Sequence, residues 1–286
     1  MPKIFWYYCV VAIGIAFMIV TMVKKRNFLD LFSFFLSATA LGYLFEVLGL
    51  FVLGSYQYKP GVFKDFIAED ILGHLLCNGF FWGGIAVFIS AFSLNSLWIL
   101  LISIAFMFVE IFFLKVGAYE HHWWKLYMTG ISAFVIFTII KKWFLGLQGN
   151  KHGFLRKFTF FMISWLILQG PSIVQSLLDM QHFIIGLVQN VYQDDILFSV
   201  PYQLCLAIIY SVFVTAHKKW YYTFLPLVLN ILIDSLFAFL KILNFYNGCN
   251  LFYFEFFRIL GFVIFILLEK YTLWSKGSYL IKGAKS

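Results

Sequence analysis

The sequence predicts an all-α protein: a polytopic transmembrane helical bundle of about nine spans, forming a single integral membrane domain over residues 1–286. Three observations lead there. Of 286 residues, 63% are hydrophobic and 12% charged, with a mean hydropathy of +0.90, whereas a soluble domain carries about 25% charged residues. Apolar runs close to 20 residues, the length that crosses hydrocarbon, recur along the chain. Lysines and arginines collect in alternate loops, as expected of a membrane protein with a fixed orientation.

The first span is read at 4–23 and ends at Lys24, Lys25 and Arg26. A secretory signal would carry its charge before a shorter apolar region, so this segment reads as an uncleaved span entering from outside. Further spans are read at 28–53, 69–91, 97–114 and 123–140. The sixth, 158–178, contains Gln169, Gly170 and Pro171, and a proline inside a helix predicts a kink or break there. Between Asp179 and Asp195, Ile184, Leu187, Val188 and Val191 recur at helical spacing opposite Gln189, Asn190 and Gln193. That pattern predicts a short helix lying in the membrane interface. Spans at 196–216, 221–240 and 251–268 complete the set.

Nine spans put the termini on opposite sides. The side of Lys24 collects fourteen basic residues, including Lys141, Lys142, Lys151, Arg156, Lys157, Lys218, Lys219 and Lys270, Lys276, Lys282 and Lys285. The other side has six: Lys3, Lys59, Lys64, Lys115, Lys125 and Lys241. The bias predicts an external N-terminus and a cytoplasmic C-terminus in a multi-pass protein of the cell membrane. Trp123, Trp124, Trp220, Tyr221 and Tyr222 fall where interfacial aromatic belts are expected.

With that orientation Glu46, Asp70, His74, Glu110, Asp234, Glu255 and Arg258 all fall in the outer halves of their helices. Glu46 and Glu110 would sit roughly 5 to 12 Å below the outer surface at the helical rise. A charge in hydrocarbon costs at least about 2.5 kcal/mol, so these groups should face one another or a wet cavity. Asp70, His74 and Asn78, four residues apart, share one helix face. Gly42, Glu46 and Gly49 share another, which points Glu46 into a tight helix interface. Glu255 and Arg258, three apart, could neutralise each other.

Three chemistries compete for these residues. Glu46, Glu110 and His74, with His121 or His122, would supply a mixed oxygen and nitrogen ligand set for a metal. No HExxH or ExxH spacing supports that set. The two carboxylates could instead serve as acid and base once desolvated, or each could hold helices together as a hydrogen-bond acceptor. The loop Tyr119, Glu120, His121, His122, Trp123, Trp124 reads either as a binding lip or as an interfacial anchor. The candidate binding residues are therefore Glu46, Asp70, His74, Asn78, Glu110, Tyr119, Glu120 and His121, and the sequence identifies no catalytic residue, resident metal or cofactor. Binding, sensing or transport of a small solute or lipid headgroup is the favoured class. An intramembrane enzyme using Glu and His on a lipid-soluble substrate, or an accessory subunit of a membrane complex, are the alternatives. No basic stretch suggests a nucleic-acid groove and no phosphate-binding loop suggests ATP, so the expected partners are the bilayer, a small-molecule ligand and, for an accessory subunit, another membrane protein.

The stretch Tyr43, Glu46, Gly49, Gly54, Tyr56, Tyr58 finds an echo in Glu110, Gly117, Tyr119. Both read as a carboxylate, an apolar run, glycine, a small residue and tyrosine. This predicts a parallel internal repeat of a two-helix hairpin, at 28–91 and 97–142, followed by a second-half bundle at 158–270. Asp234 followed by Tyr246 is a fainter echo. At these positions, and over Lys115 to Lys125, the chain resembles a group of multi-spanning membrane proteins of Gram-positive, Bacillus-type spore-formers. The resemblance implies a cytoplasmic-membrane location and transfers no catalytic role. The paired acidic motif of membrane-embedded lycopene cyclases is not seen.

Overall fold

The computed structural model describes residues 1–148, 152–216 and 220–273. Six of the basic residues counted above, Lys151, Lys218, Lys219, Lys276, Lys282 and Lys285, lie outside them. The described residues contain nine helices long and apolar enough to cross a membrane. In chain order these are α1 (Ile4–Lys25), α2 (Phe28–Val52), α3 (Phe66–Ala91), α4 (Ser96–Lys115), α5 (Leu126–Gln148), α6 (His152–Leu177), α7 (Val191–Ala216), α8 (Trp220–Phe239) and α9 (Leu251–Tyr271). The expected all-α membrane bundle is the fold observed. The chain divides into two compact units, Met1–Leu155 and a second beginning at Arg156.

In the first unit, α1 lies against α3 because both helices offer glycine at the crossing. A side chain on Gly14 would run into the backbone around Phe80, and one on Gly84 would meet the carbonyl of Gly14. Helices α2 and α3 each contain one π-helical segment, Val47–Val52 and Cys77–Trp82. Each inserts an extra residue per turn and so re-aims the side chains on either side of it.

After α1, both units have the same order of elements. Each hairpin leaves its first helix through a residue with positive φ, two positions before a short strand: Gly54, Gly117, Asp179 and Lys241. In the first unit β1 (Tyr56–Tyr58) pairs antiparallel with β2 (Tyr119–His121), with Tyr56 opposite His121 and Tyr58 opposite Tyr119. In the second, β3 (Gln181–Phe183) pairs with β4 (Leu243–Phe245), with Gln181 opposite Phe245. A strand pair thus ties two hairpins together at one end of each unit.

The loop after the first strand is held by acids in both units. Glu69 accepts from the backbone N–H groups of Gly61, Val62 and Phe63 (2.5, 2.6 and 2.5 Å), and Asp70 accepts from Tyr58 N (2.7 Å). Asp194 accepts from Ile185, Gly186 and Leu187 (2.8, 2.9 and 2.7 Å), and Asp195 from Phe183 N (3.2 Å). Asp65 caps α3 through the N–H groups of Ile67 and Ala68, and Asn190 accepts from Gln193 N at the start of α7. Gly61 and Gly186 both have φ near +80°. Each pair, Tyr58 and Phe183, Gly61 and Gly186, Asp65 and Asn190, Glu69 and Asp194, Asp70 and Asp195, is separated by the same 125 residues.

Two local expectations are corrected. The stretch 179–195 holds no interfacial helix: it contains β3, a loop and the first residues of α7, because the Asp194 carboxylate takes the N–H groups that a helix would have used. Helix α6 is continuous through Pro171, so of the expected kink or break the break does not occur.

Candidate functional site

A cavity of about 350 Å³ lies in the first unit, within the size range of small-molecule sites, roughly 300–1,000 Å³. Its walls come from α1 to α5 and from both strands, and most are apolar, Phe81, Trp82 and Phe106 among them. Glu46 and Glu110 both line it, as do Asn78 and Tyr119.

Glu46 is the residue just before the π-helical end of α2. Its carboxylate accepts from the hydroxyls of Tyr56 (2.6 Å) and Tyr58 (3.3 Å), which project from alternate positions of β1 onto the same face of the strand. Asn78, within the π segment of α3, lies in hydrogen-bonding reach of the same carboxylate. Gly42 and Gly49 give Glu46 room rather than a tight helix contact: a side-chain carbon on Gly42 would meet nothing within 4 Å, and one on Gly49 only the hydroxyls of Tyr56 at 3.7 Å and Ser55 at 4.0 Å. That corrects the expected packed interface.

Glu110 of α4 pairs with His121 Nε2, delivered by β2, and Thr129 of α5 lies within reach of it. Trp124 Nε1 donates to Thr129 Oγ1 (2.7 Å). The strand residues form a cluster of rings above the carboxylates. Tyr119 lies 5.2 Å, centroid to centroid, from both Tyr56 and Tyr58, and Trp124 lies 5.5 Å from Tyr56. Burial, reinforced by the Glu46 charge, pushes the phenols of Tyr56 and Tyr58 well above the usual tyrosine range; for Tyr119 burial is again the first cause. All three phenols are therefore neutral and able to donate.

The remaining candidates stand elsewhere. His74 is buried behind the cavity wall, its Nδ1 3.3 Å from Asn78 Nδ2 and its ring 4.5 Å from that of Tyr43. Asp70 is engaged by the backbone of Tyr58, and Glu120 is exposed and paired with Lys59. The Lys59 ammonium holds the Glu120 carboxyl below the usual range. His122 contacts the carbonyl of Gly54 and Trp123 donates to that of Leu53, so the loop is part anchor and part cavity wall. Among the described residues no three His, Cys, Asp or Glu side chains are arranged to hold a metal ion. Sequence reasoning missed Thr129, one of several hydroxyls in α5, Ser132 and Thr138 among them, with no spacing signal to single it out. Tyr56 and Tyr58 stood in the repeated carboxylate, glycine and tyrosine stretch but were not singled out as site residues.

The second unit carries a polar centre of its own. Asp234 of α8 accepts from Tyr202 Oη (2.8 Å) and from Asn230 Nδ2, and Arg258 Nε of α9 lies 3.4 Å away. Arg258 also donates to the Leu168 carbonyl (2.9 Å), and its guanidinium stands 4.7 Å from the centre of the Phe254 ring. Its hydrogen-bonded partners are thus on α6 and its ion-pair partner is Asp234 rather than Glu255, correcting the expected pair. Glu255 stands within reach of Asp234, and neither polar atom of Gln175 or Gln203 has a hydrogen-bonding partner among the described residues. No protein-family model, curated protein or solved structure compared with the chain matches it.

Proposed function

We propose that the protein is a membrane-embedded binding protein that takes a small lipid-soluble solute or lipid headgroup into the cavity of its first unit. The observation that carries this reading is that Glu46 and Glu110, carboxylates from two spanning helices of the first unit, line one cavity of about 350 Å³ with otherwise largely apolar walls. Buried carboxylates are costly, and their retention beside open space is the mark of a group kept for a ligand. Access from the hydrocarbon is supported by Phe45 and Leu48, exposed residues of a spanning helix that form part of the wall.

Three further readings accompany this one. The basic residues favour an external N-terminus, which puts the cavity near the outer face. The constant 125-residue spacing of the loop acids and positive-φ glycines favours a chain built from two copies of a four-helix unit, each a pair of the hairpin repeats, with α1 added to the first. The motif around Glu46 and Lys115 to Lys125 favours kinship with the spore-former group.

The cavity contains its own reporter, since Cys77 lies in its wall. In a background with Cys9, Cys205 and Cys249 replaced by alanine, N-ethylmaleimide should alkylate Cys77 in lipid nanodiscs. Gly42→Trp, whose side chain would enter open space, should slow that reaction at least about tenfold without lowering thermal stability. Equal rates in the two proteins would overturn the reading, and Gly42→Phe repeats the test with a smaller plug.

A further inference from the structure

The two units treat a corresponding carboxylate differently. Asp234 lies nine residues before Leu243, the first residue of β4, and Glu110 lies nine before Tyr119, the first residue of β2. Both belong to the first helix of the second hairpin of their unit. In the second unit that carboxylate is answered from within by a cation, the Arg258 guanidinium, which is also set over an aromatic ring. In the first unit a cavity adjoins the carboxylates, and the aromatic rings of Tyr56, Tyr58, Tyr119 and Trp124 gather at one end of it.

Glu46 makes the contrast sharper. Glu110 has the imidazole of His121, but no Lys, Arg or His side chain forms an ion pair with Glu46 among the described residues. Its hydrogen bonds come from neutral phenols. A carboxylate at spanning depth, beside clustered tyrosine and tryptophan rings and without an internal counter-charge, has the chemistry that recognises alkylammonium groups, where the ring faces and the anion attract the same cation.

We infer that the ligand of the first-unit cavity is an organic cation, an amine or quaternary ammonium on a short apolar body, with its charged head on the cavity side of Glu46, beside the tyrosine cluster that lines the same space. This rests on the cavity reading above and names its ligand class. The second unit shows the same chemistry satisfied internally, at the position that corresponds to Glu110: a cationic side chain on a carboxylate, packed over Phe254. The cation can be the headgroup of a lipid or a free amphiphile, and both share this chemistry.

The probes are hexyltrimethylammonium and 2,2-dimethyloctane, the neutral hydrocarbon that replaces nitrogen by carbon in the same shape. Equilibrium dialysis of the labelled compounds against the full chain in nanodiscs, with empty nanodiscs as the blank, reads binding directly. The ammonium should bind the wild type saturably and lose at least about tenfold in affinity in Glu46→Gln, while the hydrocarbon binds no more tightly to one protein than to the other. If the two probes bind alike and Glu46→Gln changes neither, the cavity reading survives and the cation inference is overturned. If neither binds although Cys77 is alkylated and Gly42→Trp protects it, the cation inference again fails, and loss of that protection as well would remove the cavity reading. Glu110→Gln serves as the second variant should Glu46→Gln not fold. Competition by phosphatidylcholine-containing against phosphatidylglycerol-only nanodiscs then separates the lipid headgroup from the free amphiphile as the source of the cation.

Discussion

Glu69 and Asp194 show how much a single acid can organise at the end of a hairpin. Each gathers three close N–H donors from a loop that has no regular structure to satisfy them. Removing such an acceptor strands several donors at once, so Glu69→Ala should cost roughly 3 kcal/mol in SDS-induced unfolding, with Glu69→Gln losing less. Gly61→Ala, which places a side chain at φ +79°, should cost about 1–2 kcal/mol in the same measurement. His182 is the residue whose effect depends on pH. Its side chain is 5% exposed, with Nε2 3.2 Å from Asp179 Oδ1, Nδ1 3.6 Å from Asp195 Oδ2 and Ser176 Oγ 3.1 Å from Nδ1; Tyr192 and Tyr246 pack on its ring. Burial opposes its charge, but the two aspartates outweigh that and raise its pKa above the ordinary value. A raised folded pKa means the contribution to stability is fully present below the unfolded histidine value of about 6.5 and is lost as pH rises through the folded value. Thermal unfolding should therefore show a midpoint that falls across that window in the wild type and varies less in His182→Gln. Equal pH slopes in the two proteins would count against the pairing. None of this was legible in the sequence, where Glu69 and Asp194 are ordinary acids: their partners are backbone groups, which have no letter of their own.

At the scale of elements, the two π-helical segments decide which residues meet. Glu46 immediately precedes one and Asn78 lies in the other, and both line the cavity. The sequence announces neither segment, since hydrophobic spacing in a span that is apolar on nearly all sides does not fix rotation about the helix axis. That is why the polar stripe Asp70, His74, Asn78 was readable as one face, while the division of labour along it was not. Deleting Leu48, an exposed residue of the first segment, should restore regular α pairing and turn Glu46 by about 100° relative to Tyr56. The expected result is a folded, monodisperse protein with at least tenfold weaker hexyltrimethylammonium binding. The crossing of α1 and α3 makes a different demand. Gly14→Leu would force apart backbones that meet directly, and its cost should appear as lost folded yield rather than altered affinity.

For the whole molecule, the sequence exposed one level of organisation and hid the next. Composition and run lengths were enough for a nine-span bundle, because lipid imposes its demand on every span alike. The hairpin repeat read at 28–91 and 97–142 rested on Glu46, Glu110 and their tyrosines. The likeness of the second unit was not, because the positions that would carry the same letters have changed: 125 residues after Tyr56 and Tyr58 stand Gln181 and Phe183, and Pro171 stands where Glu46 would recur. What persists are the backbone-binding acids and the positive-φ turns, which hold the fold rather than line a cavity. Orientation is the property that links this architecture to the cell. The fourteen-to-six distribution of basic residues rests partly on segments outside the described residues, so it calls for a direct measurement. In a cysteine-free background, Glu120→Cys and Phe154→Cys place single thiols at two exposed positions, one in β2 and the other near the start of α6. A membrane-impermeant maleimide should label position 120 in intact cells and position 154 only after permeabilisation. The reverse pattern would invert the protein, turn the tyrosine cluster and both carboxylates toward the cytoplasm, and make the cavity a receiver of cytoplasmic rather than external cations.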